Sequence, residues 1–194
     1  DNRLRDEINS QAAVLGIDGW TFLDSDKAWV ISGWAGMTHV RGTPTRMIAL
    51  QCNSQHYFQR PDAHHVRVDS SATSLTGYAA RFWLNKQKGA FIFNSALGFI
   101  DPKFDVNDVG FMWRTDVING HIGTGYKWVK PGKFSRYAQV IFATFGSYDF
   151  DKNLIWSGYF HLGSIQFLNY YRLEYVLAYN PQTINNRRTR GGPL

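Results

Sequence analysis

The sequence has no run that approaches the ~18 consecutive apolar residues of a membrane-spanning helix, which excludes a helical membrane protein. A single cysteine, Cys52, excludes an internal disulfide framework. The net charge is +6, but the basic residues form no stripe with interleaved aromatics, which argues against a nucleic-acid partner. A charged-then-apolar leader is also missing. Because the chain starts within a pattern, we expect that a leader has been removed or that this is a piece of something longer.

Aromatic residues are abundant, at 16% of the chain, with ten tyrosines and seven tryptophans. Barrels of the outer membrane carry girdles of aromatic residues at both interfaces, which fits this composition. A β-sandwich that binds sugars is also rich in aromatics. Composition alone therefore leaves both classes open, and the order of the residues has to decide between them.

The stretch 116–128 alternates between apolar and polar residues along its length. One parity carries Ile118, Ile122, Tyr126 and Trp128, and the other carries Asn119, His121, Gly123, Gly125 and Lys127. Alternate side chains of a strand point to opposite faces, so this stretch predicts a strand with one oily face and one small, polar face. Its length of about ten residues is what a transmembrane β-strand needs.

The same interpretation predicts eight strands along the chain. They lie at 9–23, 27–41, 74–86, 90–98, 116–127, 137–147, 156–167 and 170–180. A long loop at 42–73 contains a short helix, capped by Thr43, that runs from Pro44 to Cys52. A second loop lies at 99–112. Short turns follow strands one, three, five and seven and longer links follow the others, which is typical of an up-and-down barrel in the outer membrane.

The charged residues of strand eight predict which face meets lipid. Arg172 and Glu174 share one parity, and a charge at the middle of a bilayer costs about 2–4 kcal/mol. We expect them to face the interior, with Leu173 and Tyr175 in lipid. The predicted fold class is all-β: an antiparallel up-and-down transmembrane β-barrel wall of about eight strands. It forms a single segment over 1–194.

Five sequence segments, taken together and in this order, resemble a known family. They are SQHYFQRPDA at 54–63, NDVGFMWRTDVING at 107–120, GYKWVKPGKF at 125–134, FLNYYRLEY at 167–175 and RTRGGPL at 188–194. The chain resembles the barrel region of a domain of unknown function in large Gram-negative outer-membrane proteins, most familiar from Bacteroidetes. In typical members a β-sandwich similar to a family-9 carbohydrate-binding module precedes the barrel, and further strands follow it.

The resemblance implies a location in the cell outer membrane and an internal fragment of a larger barrel. Its implied partners are outer-membrane lipid, the remainder of its own barrel and the upstream sandwich domain. It also implies the binding or passage of an unidentified substrate, a glycan or another polymer. The family has no established catalytic residues, so we expect a non-enzymatic segment with no cofactor. Two alternatives stay open: a soluble carbohydrate-binding β-sandwich, and a barrel-associated hydrolase of glycans or lipids.

Five loop residues are candidates for ligand binding. They are Tyr57, Arg60, Asp62, Arg114 and Asp116. Arg60 and Asp62 either contact a ligand from a loop folded into the lumen or form a pair that anchors this loop to the wall. Arg114 and Asp116 lie at the mouth of strand five, where a charge pair lines a pore or pins a loop. Two further carboxylates, Asp149 and Asp151, flank an aromatic residue, which suits a sugar but is also a common hairpin tip.

The sequence supports a metal site less strongly than it supports ligand binding by the loops. Asp101, Asp105 and Asp108 crowd one loop, and oxygen-rich loops can hold calcium. The spacing departs from the helix-loop-helix calcium pattern, because Val109 sits where a ligand is required. Turn formation by aspartate side chains explains the same residues. Cysteine and histidine also occur close together in the first loop, but their spacing matches no structural zinc site, so no metal site is predicted.

Overall fold

The structure is a computed structural model that describes residues 2–193, with the side chains from residue 4 onward. The elements are α1 (Asn2–Glu7), β1 (Gln11–Phe22), β2 (Trp29–Arg41), α2 (Pro44–Cys52), β3 (Ser74–Lys86), β4 (Phe91–Ile100), β5 (Val117–Trp128), β6 (Ser135–Tyr148), β7 (Leu154–Phe167) and β8 (Arg172–Tyr179). No helix in this part of the chain is long and apolar enough to cross a membrane.

The eight strands form one sheet in which each strand pairs, antiparallel, with its neighbours in sequence. This confirms the all-β, up-and-down prediction. The order runs from β1 to β8, and these two strands are the edges of the described sheet, which is not closed. All predicted strands are present, with ends that differ by a few residues.

The loop 42–73 connects β2 to β3 and contains α2. α2 begins at Pro44, and the Thr43 side chain accepts a hydrogen bond from the backbone N–H of Arg46, as an N-cap does. The second loop was predicted at 99–112, but β4 continues to Ile100 and β5 begins only at Val117. The loop is therefore 101–116, because Phe99 and Ile100 continue the ladder with β5.

The register assigns every strand residue to one of two faces, since directly opposed residues of antiparallel strands share a face. Arg81 lies opposite Gly98, and Gly98 lies opposite Asn119. We call the face that carries these residues the polar face. Phe82 lies opposite Leu97 on the other side of the sheet, which we call the apolar face. As the alternation predicts, Ile122 of β5 and Leu173 of β8 lie on the apolar face, and His121 and Glu174 lie on the polar face.

Two hydrophobic clusters of the described residues lie against the polar face, at one end of the sheet. The first contains Val40, Met47, Leu50, Phe58, Ala63, Val66 and Leu75, and the second contains Ala79, Phe104 and Met112. They form because the loops 42–73 and 101–116 fold back over β2 and β3. We call this end, where the loops 42–73, 101–116 and 149–153 and the tail 180–193 meet, the loop end. The opposite end, which carries short turns, is the turn end.

A glycine permits the closest approach of a loop to the sheet. A Cβ at Gly77 would lie 2.1 Å from the backbone nitrogen of Phe104. The neighbouring strand holds the same loop by a hydrogen bond from the backbone N–H of Asp105 to Oγ1 of Thr38, at 2.9 Å. The second loop therefore lies directly on the backbone of β3.

Candidate functional site

Asp116 is the centre of the loop end. It is the last residue before β5, adopts a positive φ of 59° and is 2% exposed. Its carboxylate accepts hydrogen bonds from Arg60 Nη2 at 2.9 Å, from His65 Nε2 at 2.8 Å and from the backbone N–H of Phe150 at 3.0 Å. One carboxylate thus joins three separate loops. We call Arg60, His65, Asp116 and Asp151 the loop junction.

His65 lies between two carboxylates of the loop junction. Its Nδ1 is 2.8 Å from Asp151 Oδ2, a close ion-pair contact that departs from hydrogen-bond direction, while Nε2 binds Asp116. Burial lowers the pKa of His65, but the hydrogen bonding and negative charge of Asp116 and Asp151 outweigh burial and raise the pKa above its ordinary value. Two facing carboxylates therefore favour the imidazolium form.

The pKa values of the two carboxyl groups in the loop junction are shifted downward, opposite to that of His65. Burial acts to raise the pKa of Asp116, but the hydrogen bonds from His65 and Phe150 and the positive charge of Arg60 lower this pKa below its ordinary value. The pKa of Asp151 is also lowered, because the backbone N–H of His64 and the side chain of His65 outweigh the effect of burial. Both groups are held as carboxylates near neutral pH.

The C-terminal tail closes over this junction. Arg187 donates to the backbone carbonyls of Ser54, Gln55 and Thr115, and Asn186 donates to Asp149 Oδ2 at 2.9 Å. Burial and the nearby charge of Arg114 lower the pKa of Arg187 to about 10. No sequence pattern predicted this role of Arg187, because the groups that it contacts lie more than 70 positions away in the chain.

A second buried pair lies beside the junction. His56 Nε2 faces Asp105 Oδ2 at 4.0 Å, and neither atom has a hydrogen-bond partner among the described residues. Burial lowers the pKa of His56 to about 4, against the opposing charge of Asp105. The imidazole is therefore neutral at physiological pH.

Four of the five predicted ligand residues come together. Arg60, Arg114 and Asp116 lie in or beside the loop junction, and Tyr57 carries the guanidinium of Arg187 over its ring, 5.5 Å from the centroid. Asp62 lies nearby in the chain but does not pair with Arg60. Arg60 binds Asp116 instead, because the loop fold brings these two residues together from 56 positions apart.

The three calcium candidates act in turns and loop contacts. Asp101 accepts from the backbone N–H of Lys103 at 2.7 Å, and Asp105 accepts from that of Asn107 at 2.8 Å. Asp108 accepts from the amide of Asn9 at 2.6 Å. Over residues 2–193, no group of three or more His, Cys, Asp or Glu is arranged to hold a metal ion. Turn formation accounts for the contacts of Asp101 and Asp105, whereas Asp108 joins the second loop to the residues before β1.

A second set of polar residues lies in the middle of the polar face. It consists of Arg81, Asn85, Asn94, Asn119 and His121, which we call the polar strip. Arg81 contacts Asn119 and His121, His121 contacts Asn94, and Asn94 contacts Asn85. The strip crosses β3, β4 and β5. Alternation along 116–128 predicted that Asn119 and His121 share one face, but it did not reveal that Arg81 contacts both of them.

A family model described as a domain of unknown function (DUF5916) matches residues 42–187. The chain belongs to this family. The match contains both long loops, the strands β3–β8 and the tail as far as Arg187, so the loop junction and the polar strip both lie within it. No curated protein and no solved structure matches the chain. The resemblance to a family of unknown function is confirmed, while the outer-membrane setting and the sandwich domain stay predictions.

Proposed function

We propose that the chain is a non-enzymatic wall segment of an outer-membrane β-barrel that binds or passes a solute, a glycan, along its polar face. One observation carries the proposal: the apolar face exposes large side chains on all its strands. They are Leu15, Ile17, Ile31, Tyr78, Phe82, Phe91, Leu97, Phe99, Ile122, Tyr126, Trp128, Phe142, Tyr148, Tyr159, Leu173, Tyr175, Leu177 and Tyr179. Soluble monomers rarely expose a continuous apolar patch above a few hundred Å², at most about 600 Å².

The distribution of residue types on this face supports a lipid environment. Tyr126 and Trp128 lie near the turn end, and Tyr148 ends β6 at the loop end. Phe82 and Leu97 lie between them, and Leu97 is 64% exposed. Aromatic residues with a polar tip at both margins, with Phe82 and Leu97 between them, fit the pattern of a barrel wall.

The charged and polar side chains of the polar face also support this proposal. It carries the polar strip and the Arg172–Glu174 ion pair, and both hydrophobic clusters under the loops are confined to one end of it. Charged side chains on this face avoid hydrocarbon, where each costs about 2–4 kcal/mol at the midplane. Loops folded over one end of a polar interior narrow a passage and provide contacts for a solute.

The two edge strands favour a larger barrel. β1 and β8 leave one side of their backbone unpaired, and every residue of β8 is exposed. Unpaired edges pair with other strands, and closure into a barrel removes them. We propose the remaining strands of its own barrel as the partners of both edges. A soluble sandwich instead covers its apolar face with a second sheet, whereas the eight described strands form one sheet.

Single-cysteine labelling in lipid vesicles tests the proposal. Ile122 and Gln139 lie on opposite faces, so Ile122→Cys and Gln139→Cys are compared in a Cys52→Ser background. A fluorophore at position 122 is expected to be quenched by brominated lipid, and one at position 139 by a water-soluble quencher. A protein that is monodisperse without detergent, and whose residue 122 is reached by neither quencher, would contradict the membrane assignment.

A further inference from the structure

The polar strip is built around one arginine that reaches across a neighbouring strand. Arg81 on β3 passes over Gly98 of β4 and contacts Asn119 of β5. A Cβ at Gly98 would lie 2.9 Å from the Cβ and Cγ of Arg81. Glycine at this position therefore leaves room for the Arg81 side chain to cross β4 and reach β5.

The hydrogen bonds of the strip define its proton positions. Asn94 Oδ1 can only accept, so the contact from His121 Nε2 places the imidazole proton on Nε2. His121 Nδ1 then accepts from Arg81 Nη2, at 3.3 Å. Asn94 donates to Asn85 Oδ1, and Arg81 Nη1 donates to Asn119 Oδ1. The histidine is thus neutral, and the only charge in the strip belongs to Arg81.

The side-chain groups of the strip that make no hydrogen bond at all among the described residues are donors. Each amide oxygen of Asn85, Asn94 and Asn119 already accepts a hydrogen bond, and so does His121 Nδ1. The amide N–H groups of Asn85 and Asn119 and the remaining N–H groups of Arg81 have no acceptor among the described residues. A site with spare donors and a positive charge is complementary to an oxyanion.

Among the described residues, Arg81 has no carboxylate partner, in contrast to the buried Arg60 and the exposed Arg172. Arg60 binds Asp116 and Arg172 binds Glu174, whereas no described carboxylate lies within ion-pair distance of Arg81. Asp18 is also on the polar face, but β1 is two strands from β3, which separates their backbones by about 10 Å. The cation is therefore available to a ligand.

Two tryptophans lie next to the arginine on the same face. The guanidinium of Arg81 is 5.3 Å from the ring centroid of Trp83, and Trp34 lies directly opposite Arg81 on β2. Stacking on an aromatic ring restrains an arginine and keeps its planar fork in one orientation. A flat ring beside an anion-binding fork suits a sugar that carries an acidic group.

We propose that the polar strip is an oxyanion-binding site, in which Arg81 with Asn119 holds the carboxylate of an acidic saccharide or a free phosphate. The proposal rests on the proposed function, because it identifies the chemical class of the solute on the polar face. It assigns ligand binding to the sheet itself, whereas the loop junction satisfies its own charges internally.

Calorimetric titration of the native protein in detergent micelles tests this proposal. The probes are a trisaccharide of hexuronic acid, a neutral trisaccharide of the same length, and inorganic phosphate. The hexuronate is expected to bind at least about tenfold more tightly than the neutral sugar. Phosphate that binds as tightly as the hexuronate identifies the free ion as the ligand, and weaker phosphate binding identifies the saccharide. No binding of either anion would overturn the proposal.

Two variants connect the binding to the strip. Arg81→Gln is expected to weaken hexuronate binding by about tenfold or more, and Asn119→Asp to do the same, because it supplies Arg81 with a carboxylate of its own. The control is Arg136→Gln, which removes an arginine that stacks on Tyr170 at the turn end, 4.0 Å from the ring. Equal binding by all three variants would overturn the proposal, provided that their circular dichroism matches the wild type.

The oxyanion site and the membrane assignment can fail separately. Dependence on detergent decides the membrane assignment and does not involve Arg81. The titration tests whether the polar strip binds an oxyanion, and it can be carried out in micelles or in plain buffer. A monodisperse protein in plain buffer that still binds hexuronate through Arg81 would retain the site and reject the barrel.

Discussion

The two ends of the sheet are held in different ways. At the loop end, Thr115, Asp116 and Asp149 are almost completely buried and bind partners from distant parts of the chain. At the turn end the contacts stay within one turn or join adjacent turns. The Asp24 side chain accepts from the backbone N–H of Ala28 and Trp29, and Lys88 donates to the backbone carbonyl of Asp26. The turns therefore contact only their neighbours in the sheet, whereas the loops bind one another and the tail.

This difference also separates the two faces. The loops cover part of the polar face, whereas large side chains of the apolar face stay exposed from β1 to β8. Buried polar groups are stabilising only when they are paired, so a loop end with many ionic groups requires long-range partners. The apolar face has no such requirement in lipid. A substitution in one of these regions can therefore be compared with a matched substitution in the other.

The largest loss of stability is expected for Asp116→Ala. It leaves the buried guanidinium of Arg60 and the imidazolium of His65 without their shared acceptor, which costs about 3–5 kcal/mol. Glu174→Ala removes a carboxylate from an exposed pair and is expected to cost under about 1 kcal/mol. Urea unfolding in micelles measures both. Equally small losses of unfolding free energy in both variants would show that the loop junction stabilises the fold no more than an exposed ion pair does.

The next effect concerns the apolar face. Ile122→Lys places a charge on that face and is expected to lower stability in lipid vesicles by about 2–4 kcal/mol near the midplane. Ala143 lies opposite Gly123, at a similar depth but on the polar face, and Ala143→Lys is the control. Urea unfolding from vesicles gives the difference. A larger loss at residue 143 than at residue 122 would reverse the assignment of the faces.

A smaller effect is expected where the loop meets the sheet. A methyl group at Gly77 would collide with the backbone of Lys103 and Phe104, so Gly77→Ala is expected to cost about 1–3 kcal/mol. At Gly19 an added Cβ meets nothing within 4 Å, so Gly19→Ala is the matched control. Hydrogen exchange of the amides in 101–116 shows whether the loop has been lifted. Unchanged protection in Gly77→Ala would contradict the close contact.

The smallest effect is a dependence of stability on pH. The pKa of His65 is raised by folding, so its contribution is complete below its ordinary value of 6.5 and is lost as the pH rises through the raised pKa. The pKa of His56 is lowered to about 4, so its contribution is lost as the pH falls from 6.5 towards that value. Stability is therefore expected to be greatest near pH 6.5.

Thermal unfolding across roughly pH 5 to 8 measures this profile. His65→Gln is expected to remove the decline on the alkaline side and to leave the decline on the acid side, which belongs to His56. His64 makes its contact to Asp151 through the backbone, so His64→Gln is expected to leave both sides unchanged. A profile in which His65→Gln alters only the acid side would contradict the assignment.

Local sequence patterns predicted the strands of the sheet, whereas no local pattern predicted the contacts between residues distant in the chain. Alternation along 116–128 gave the strand and both faces, and Thr43 with Pro44 gave the start of α2. The pair of Arg60 with Asp116 spans 56 positions, and the nearer Asp62 was the natural partner to expect. The polar strip needed the register, because only the pairing of Gly98 with both Arg81 and Asn119 shows how they meet.

The sequential order of the strands has a consequence for how the chain folds. Since each strand pairs only with its neighbours in sequence, the sheet can grow one hairpin at a time, and each closure involves a short stretch of chain. Arg187 reaches Gln55 across 132 positions, so this contact forms after the intervening hairpins. We expect the tail to dock last, as a late and slow event that reports completion of folding.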